Sequence, residues 1–144
     1  MYITTPTAKN ICLSSIRCRS KLINCHNCLS LEAKIIRQKI SSQELKEIAA
    51  LTYVDMVKGV ADLRQKTIAL GGELHADAEA ILLDHGSLQK DLWGFNIYPD
   101  KPKEYWIEFT SLINIRPSQG NRSIMINDPQ IRQQIREIIN SLIG

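Results

Sequence analysis

Residues fit to be buried recur at spacings of three and four in two stretches of this chain. In the first, Leu45, Ile48, Ala49, Thr52, Met56, Val60 and Leu63 fall along one side of a helical projection. The stretch opens on Ser41-Ser42-Gln43-Glu44, in which Ser41 can accept from the Glu44 amide and Glu44 can reach back to the Ser41 amide. Ile40 and Leu45 stand at the two positions of a hydrophobic staple around that box. The pattern predicts a long helix over residues 42–70, stopped by Gly71-Gly72. Gly59 is its weak point, at a cost of about 1 kcal/mol against alanine. In the second stretch Asp128 is the N-cap and Pro129 fills the first helical position. Ile131, Ile135, Ile138, Ile139 and Leu142 then form one aliphatic stripe, which predicts a helix over 129–142.

Between these helices the period changes. Leu92–Tyr98 and Tyr105–Ile115 are rich in aromatic and β-branched residues, and Pro99-Asp100-Lys101-Pro102-Lys103 between them is turn chemistry. They are expected to form an antiparallel hairpin, 92–98 against 105–115, with side chains alternating between two faces of the second strand. Ser123–Ile126 adds a short third strand, and Leu74–Glu79 reads as a strand leading into a short helix, Ala78–His85, ended by Gly86. The expected architecture is therefore α+β: a small antiparallel sheet of two to four strands flanked by the two helices. Trp93, Ile97, Ile107, Phe109, Ile113, Ile135 and Ile139 should share one core.

Composition narrows the class. A chain of 144 residues with 44% hydrophobic and 23% charged residues is that of an ordinary globular domain. No apolar run approaches the ~20 residues a spanning helix needs, so no membrane association is expected. The charge is uneven. Residues 1–31 hold Lys9, Arg17, Arg19 and Lys21 and no carboxylate, whereas the rest holds 14 basic and 15 acidic residues, a balance of −1. The basic net charge thus belongs to the start of the chain, and charge gives no indication of nucleic-acid binding by the remainder. All four cysteines, Cys12, Cys18, Cys25 and Cys28, lie in the same segment. Their absence afterwards fits a reducing compartment such as the cytoplasm. Cys25-His-Asn-Cys28 has the spacing of half a zinc knuckle, but Cys12 and Cys18 do not supply the other half. Residues 1–34 are read as a poorly ordered basic extension ahead of a single domain over 35–144.

Candidate chemistry concentrates in one block, where polar residues are set among apolar ones and so need partners or a task. On a strand, His75, Asp77 and Glu79 would project from one face about 7 Å apart, able to present a divalent metal or an acid–base cluster. The plainer reading of the trio is a solvated strand edge, or Asp77 as the N-cap of the next helix. Asp91 and Asn96 join this polar cluster. Asn114, Arg116, Gln119, Asn121 and Arg122 form a second set on a loop leaving a strand, suited to a phosphate or carboxylate. The alternative there is that Arg116 pairs with a carboxylate, such as Asp91 or Glu108, and Asn121 caps a turn. Trp93 and Trp106 are expected in the core, or at an interface if exposed.

The words His75-Ala-Asp77, Gly86-Ser87, Asp91-Leu-Trp93-Gly94, Asn96-Ile-Tyr98-Pro99 and Ile113-Asn114-Ile-Arg116-Pro117-Ser-Gln119-Gly120-Asn121-Arg122 carry a resemblance. Over about Ile35 to Ile143 the chain resembles a family of short prokaryotic proteins classified as a domain of unknown function. The segment before it has no counterpart in that family. The resemblance implies a domain boundary and no activity, substrate or cofactor.

Three functions stay open at this point. The first is a binding module for an anionic small molecule or a protein partner, with a second copy of the chain among the candidates. The second is a metal-dependent phosphoester hydrolase or nuclease, with His75, Asp77 and Glu79 on a divalent metal and Arg116 and Arg122 on the phosphoryl group. The third is one member of a small toxin–antitoxin-like pair. The binding module needs no unproven catalytic geometry and is the leading expectation.

Overall fold

The computed structural model describes residues 32–144. The elements follow in the order β1 (Lys34–Ile36), α1 (Ser42–Leu51), β2 (Val57–Asp62), β3 (Thr67–Leu70), α2 (His75–Asp84), β4 (Leu92–Ile97), β5 (Ile107–Glu108) and α3 (Pro129–Leu142). The strands form one five-stranded sheet in the order β1-β3-β2-β4-β5, antiparallel at every pairing. The α+β class stands. The sheet is larger than the two to four strands expected, and the long first helix does not exist.

The capping box at Ser41–Glu44 is formed, with the Ser41 amide donating to Glu44 at 2.7 Å and the Glu44 amide to the Ser41 hydroxyl at 3.1 Å. These contacts hold the Glu44 carboxyl below its ordinary pKa. The helix so started stops at Leu51, because Thr52 leaves helical geometry and Val54 takes a positive φ of 72°. Residues 57–62 and 67–70, expected as its second half, are instead the β2–β3 hairpin. Its turn is organised by Asp62, whose Oδ1 accepts from the amides of Arg64 and Gln65, both at 2.8 Å. Beyond β5 the expected long strand also ends early. The chain breaks into a 3₁₀ turn at Leu112–Asn114 and a second at Pro117–Gln119, and Ser123–Ile126 contributes only the bridge Thr110–Met125.

Strict alternation along the strands divides the interior into two cores. Val57 and Ala61, Ile68 and Leu70, and Trp93, Phe95 and Ile97 face α1 and α3, where Leu45, Ile135, Ile139 and Leu142 complete the larger cluster. Val60, Ala69 and Leu92 face the other way, onto Ala78 and Leu82 of α2. Of the seven residues expected in one core, Trp93, Ile97, Phe109, Ile135 and Ile139 lie in the larger cluster, with Ile107 at its edge. Ile113 packs instead against the smaller cluster on the α2 face. No helix among the described residues is long and apolar enough to cross a membrane.

Candidate functional site

The register of the sheet sets a polar row on the α2 face. Lys58 on β2 stands opposite Asn96 on β4, and Asn96 stands opposite Glu108 on β5. Glu108 and the Thr110 carbonyl accept from Asn96 Nδ2, at 3.0 and 3.3 Å. Both neighbours are acceptors, which fixes the amide's orientation and turns Oδ1 the other way. Asn96 is 8% exposed, and its Oδ1 is buried without a hydrogen-bond partner.

His75 comes to this row from the first turn of α2. Gly71 and Gly72, at φ 95° and 82°, turn the chain out of β3, and the Asp77 carboxylate accepts the Leu74 amide at 2.8 Å as the helix begins. The imidazole Nε2 lies 3.0 Å from the Phe95 carbonyl. A carbonyl only accepts, so Nε2 carries a hydrogen and Nδ1 is the acceptor of the neutral ring. Burial pushes the imidazole pKa down, and Lys58 pushes the same way, against the Phe95 carbonyl and the nearby Asn96 amide. Asn96 Oδ1 is near the ring but does not reach hydrogen-bonding geometry with it. Lys58 spends two donors on the Tyr53 hydroxyl at 2.8 Å and the Glu73 carbonyl at 2.9 Å.

These groups line a pocket of about 350 Å³ between α2 and the chain from Thr110 to Ile124. Its walls are mostly apolar. Leu74, Leu112 and Ile124, three of the exposed large hydrophobic residues, stand at it, Leu112 at 77% exposure. Gly94 lets the 111–113 segment close the pocket floor, because a Cβ there would lie 2.5 Å from Ser111 Cβ.

The other candidate residues are placed as follows. His75, Asp77 and Glu79 lie on a helix rather than a strand, and their side chains diverge: His75 lines this pocket, Asp77 lines a surface cleft with Asp84, and Glu79 meets Arg116. Among the described residues no three His, Cys, Asp or Glu side chains stand together as metal ligands, so the proposed divalent metal loses its geometric basis. The Cys25–Cys28 pair lies outside the described residues. Asp91 pairs with Arg64 at 3.5 Å, away from Asn96.

Arg116 lines a second cleft of about 550 Å³ with Glu79 and Gln119. Its partner is Glu79, at 3.4 Å, rather than Asp91 or Glu108. Four of its five N–H groups are engaged, by Glu79, Gln119 and the carbonyls of Ile113 and Gln89. The guanidinium also lies 5.2 Å from the Trp93 ring centroid. Gln119 donates to the Lys90 carbonyl at 2.9 Å. Asn114 and Asn121 are buried organisers. Asn114 bonds both backbone groups of Gly94, at 2.8 and 3.0 Å, in place of a further strand. Asn121 gathers the carbonyls of Asn114, Ser123 and Met125 and accepts from the Asn127 amide. Arg122 is exposed and makes no polar contact among the described residues. The second set is thus largely committed to holding its own loop, and the anion-binding expectation finds little free donor capacity there. Both tryptophans are buried, at 3% and 4% exposure, which leaves neither for an interface.

Sequence reasoning missed Lys58, Thr110 and Ser111 as pocket residues. The signal for Lys58 was available in the alternation of Val57-Lys58-Gly59-Val60, once that stretch is seen as a strand.

A search of curated proteins and one of solved structures both return no match to the chain. Residues 34–142 match the family described as protein of unknown function (DUF5674), and the chain belongs to that family.

Proposed function

We propose that this protein is a binding module whose ligand enters the pocket between α2 and the Thr110–Ile124 segment. The ligand is compact and largely apolar and carries a small polar group. One observation carries this reading: exposed Leu74, Leu112 and Ile124 stand around a mostly apolar pocket whose lining also includes His75, Asn96 and Lys58. Covering apolar side chains is favourable by roughly 25 cal/mol per Å², and the polar residues of the lining offer partners to a polar group on the ligand. At about 350 Å³ the pocket is at the small end of the range that holds small molecules. A cytoplasmic location is part of the same reading, on the ground that residues 29–144 contain no cysteine.

The test is a nuclear magnetic resonance titration of the full chain with phenol against benzene. Phenol is expected to shift the signals of His75, Asn96 and Leu112 saturably and to bind more tightly than benzene. Ala76 is exposed and lines the pocket, so Ala76→Phe should block it without touching either core. Shifts elsewhere, or shifts unchanged in Ala76→Phe, would defeat the proposal.

A further inference from the structure

The two ends of the sheet are finished differently. Beyond β5 the chain is met by a later segment: Thr110 bridges to Met125, the Ser111 amide donates to the Ile124 carbonyl at 3.0 Å, and the Ile126 amide to the Phe109 carbonyl at 3.1 Å. At the other end, β1 pairs with β3 on one side and with no strand among the described residues on the other. The Gly71 amide donates at 2.9 Å to the carbonyl of Lys58, its opposite residue in the register, which fixes the alternation across β3. Ala69 then bonds toward β2, whereas Ile68 and Leu70 bond toward β1, to Ile36 and Lys34. The amide and carbonyl of Ile35 are therefore directed away from the sheet. No proline stands between Glu32 and Ile40 to blunt this edge.

Charge is graded along the same edge. Glu32 precedes β1 and, with Glu73, Asp77 and Asp84, lines a cleft of about 590 Å³ beside Ala33. Arg37 follows β1, exposed and without an ion pair among the described residues. We infer that β1 pairs antiparallel with β1 of a second copy about a two-fold axis at Ile35, joining two five-stranded sheets into one. The two Ile35 residues exchange both backbone bonds. The register sets Arg37 of one copy opposite Ala33 of the other, at the carboxylate cleft, and the two-fold axis repeats the contact. Lys34 falls opposite Ile36, so no like charges meet directly across the axis. A foreign strand would satisfy the backbone equally well, but this chain carries its cation and its carboxylates in the order that self-pairing requires. No residue from Glu32 to Arg37 lines the pocket at His75, so the contact and the proposed ligand are independent.

Sedimentation equilibrium of the full chain, with hydrogen exchange of the Ile35 amide at two protein concentrations, tests the contact. A reversible dimer is expected, with Ile35 protection rising with concentration. Ile35→Pro removes the outward donor and leaves the bonds of Lys34 and Ile36 to β3, so it should be folded and monomeric. Should that variant unfold, Arg37→Glu, on an exposed side chain, carries the test. It should raise the dimer dissociation constant at least about tenfold by setting like charges at the cleft. A monomer at every concentration overturns the inference, whether the Ile35 amide exchanges freely or is protected by another part of the chain. A dimer indifferent to both substitutions overturns it as well, since another face would then hold the copies together.

Discussion

Three buried asparagines show how one side chain does two kinds of work. Asn114, fully buried, and Asn121 have each polar atom matched to the backbone around them. Asn96 has its donors matched and its acceptor empty. Asn114→Ala should therefore destabilise by about 2–4 kcal/mol, since it strands the Gly94 amide and carbonyl together. Urea denaturation checks this, and a loss under about 0.5 kcal/mol would mean that the loop has another anchor. The polar block was visible in the sequence as residues needing partners. Which of them were satisfied was not, because that depends on carbonyls brought in from 10 to 20 positions away, such as Ile124 and Gly94. His75 gives a pH prediction at the same scale. Its folded pKa lies below the ordinary value of about 6.5, so the unfolded chain binds the proton more readily. Its contribution to stability is complete above that ordinary value and is lost as pH falls through the folded one. Lys58, opposite Asn96, reinforces the sign, and Glu108 is occupied by Asn96 and Tyr98. Melting temperatures at pH 7.5 and pH 5 should differ more in the native protein than in His75→Gln, which keeps a donor for the Phe95 carbonyl. Equal pH slopes in the two would show that His75 does not titrate as described.

Elements with strong end signals were legible, and those without were not. The Ser41–Glu44 box and the Asp128-Pro129 start both form, and α3 spans Pro129–Leu142 as its stripe requires. The β2–β3 hairpin was hidden because Met56, Val60 and Leu63 continue the three–four spacing of α1 by coincidence. Its turn carries no glycine or proline; Lys66 adopts a φ of 53° and Asp62 supplies the hydrogen bonds. Short strands of four to six residues leave little periodicity to weigh against a helical pattern. Gly59 separates the two readings by sign. In an exposed helix interior, Gly59→Ala would stabilise by about 1 kcal/mol. In β2 the added Cβ would sit 2.6 Å from Phe95 Cζ and 2.8 Å from Leu70 Cδ2, both on fully buried side chains that would have to shift within the core. The substitution should instead cost about 1–3 kcal/mol. A gain in denaturation midpoint would contradict the strand.

At the scale of the molecule, the sheet separates the larger core from the proposed binding pocket. Most of the apolar mass lies between the sheet and the α1 and α3 layer, while the pocket opens on the opposite side, over the smaller α2 core. Period-two alternation enforces this division: Phe95 and Asn96 are adjacent in sequence and belong to different faces. Substitutions in the two layers should then be separable. Ile135→Ala removes a fully buried side chain from the larger core and should cost about 2–5 kcal/mol. Phenol affinity, measured well below the melting transition, should be unchanged, because no residue of α3 lines the pocket. Leu112→Lys changes a side chain 77% exposed and should leave stability within about 0.5 kcal/mol while weakening phenol binding at the pocket mouth. Denaturation and titration of both variants give four values, and the division predicts one large change in each variant, in different measurements. If Ile135→Ala weakens binding as much as Leu112→Lys does, the faces are mechanically coupled through β4, and the pocket's shape depends on how Trp93, Phe95 and Ile97 pack behind it.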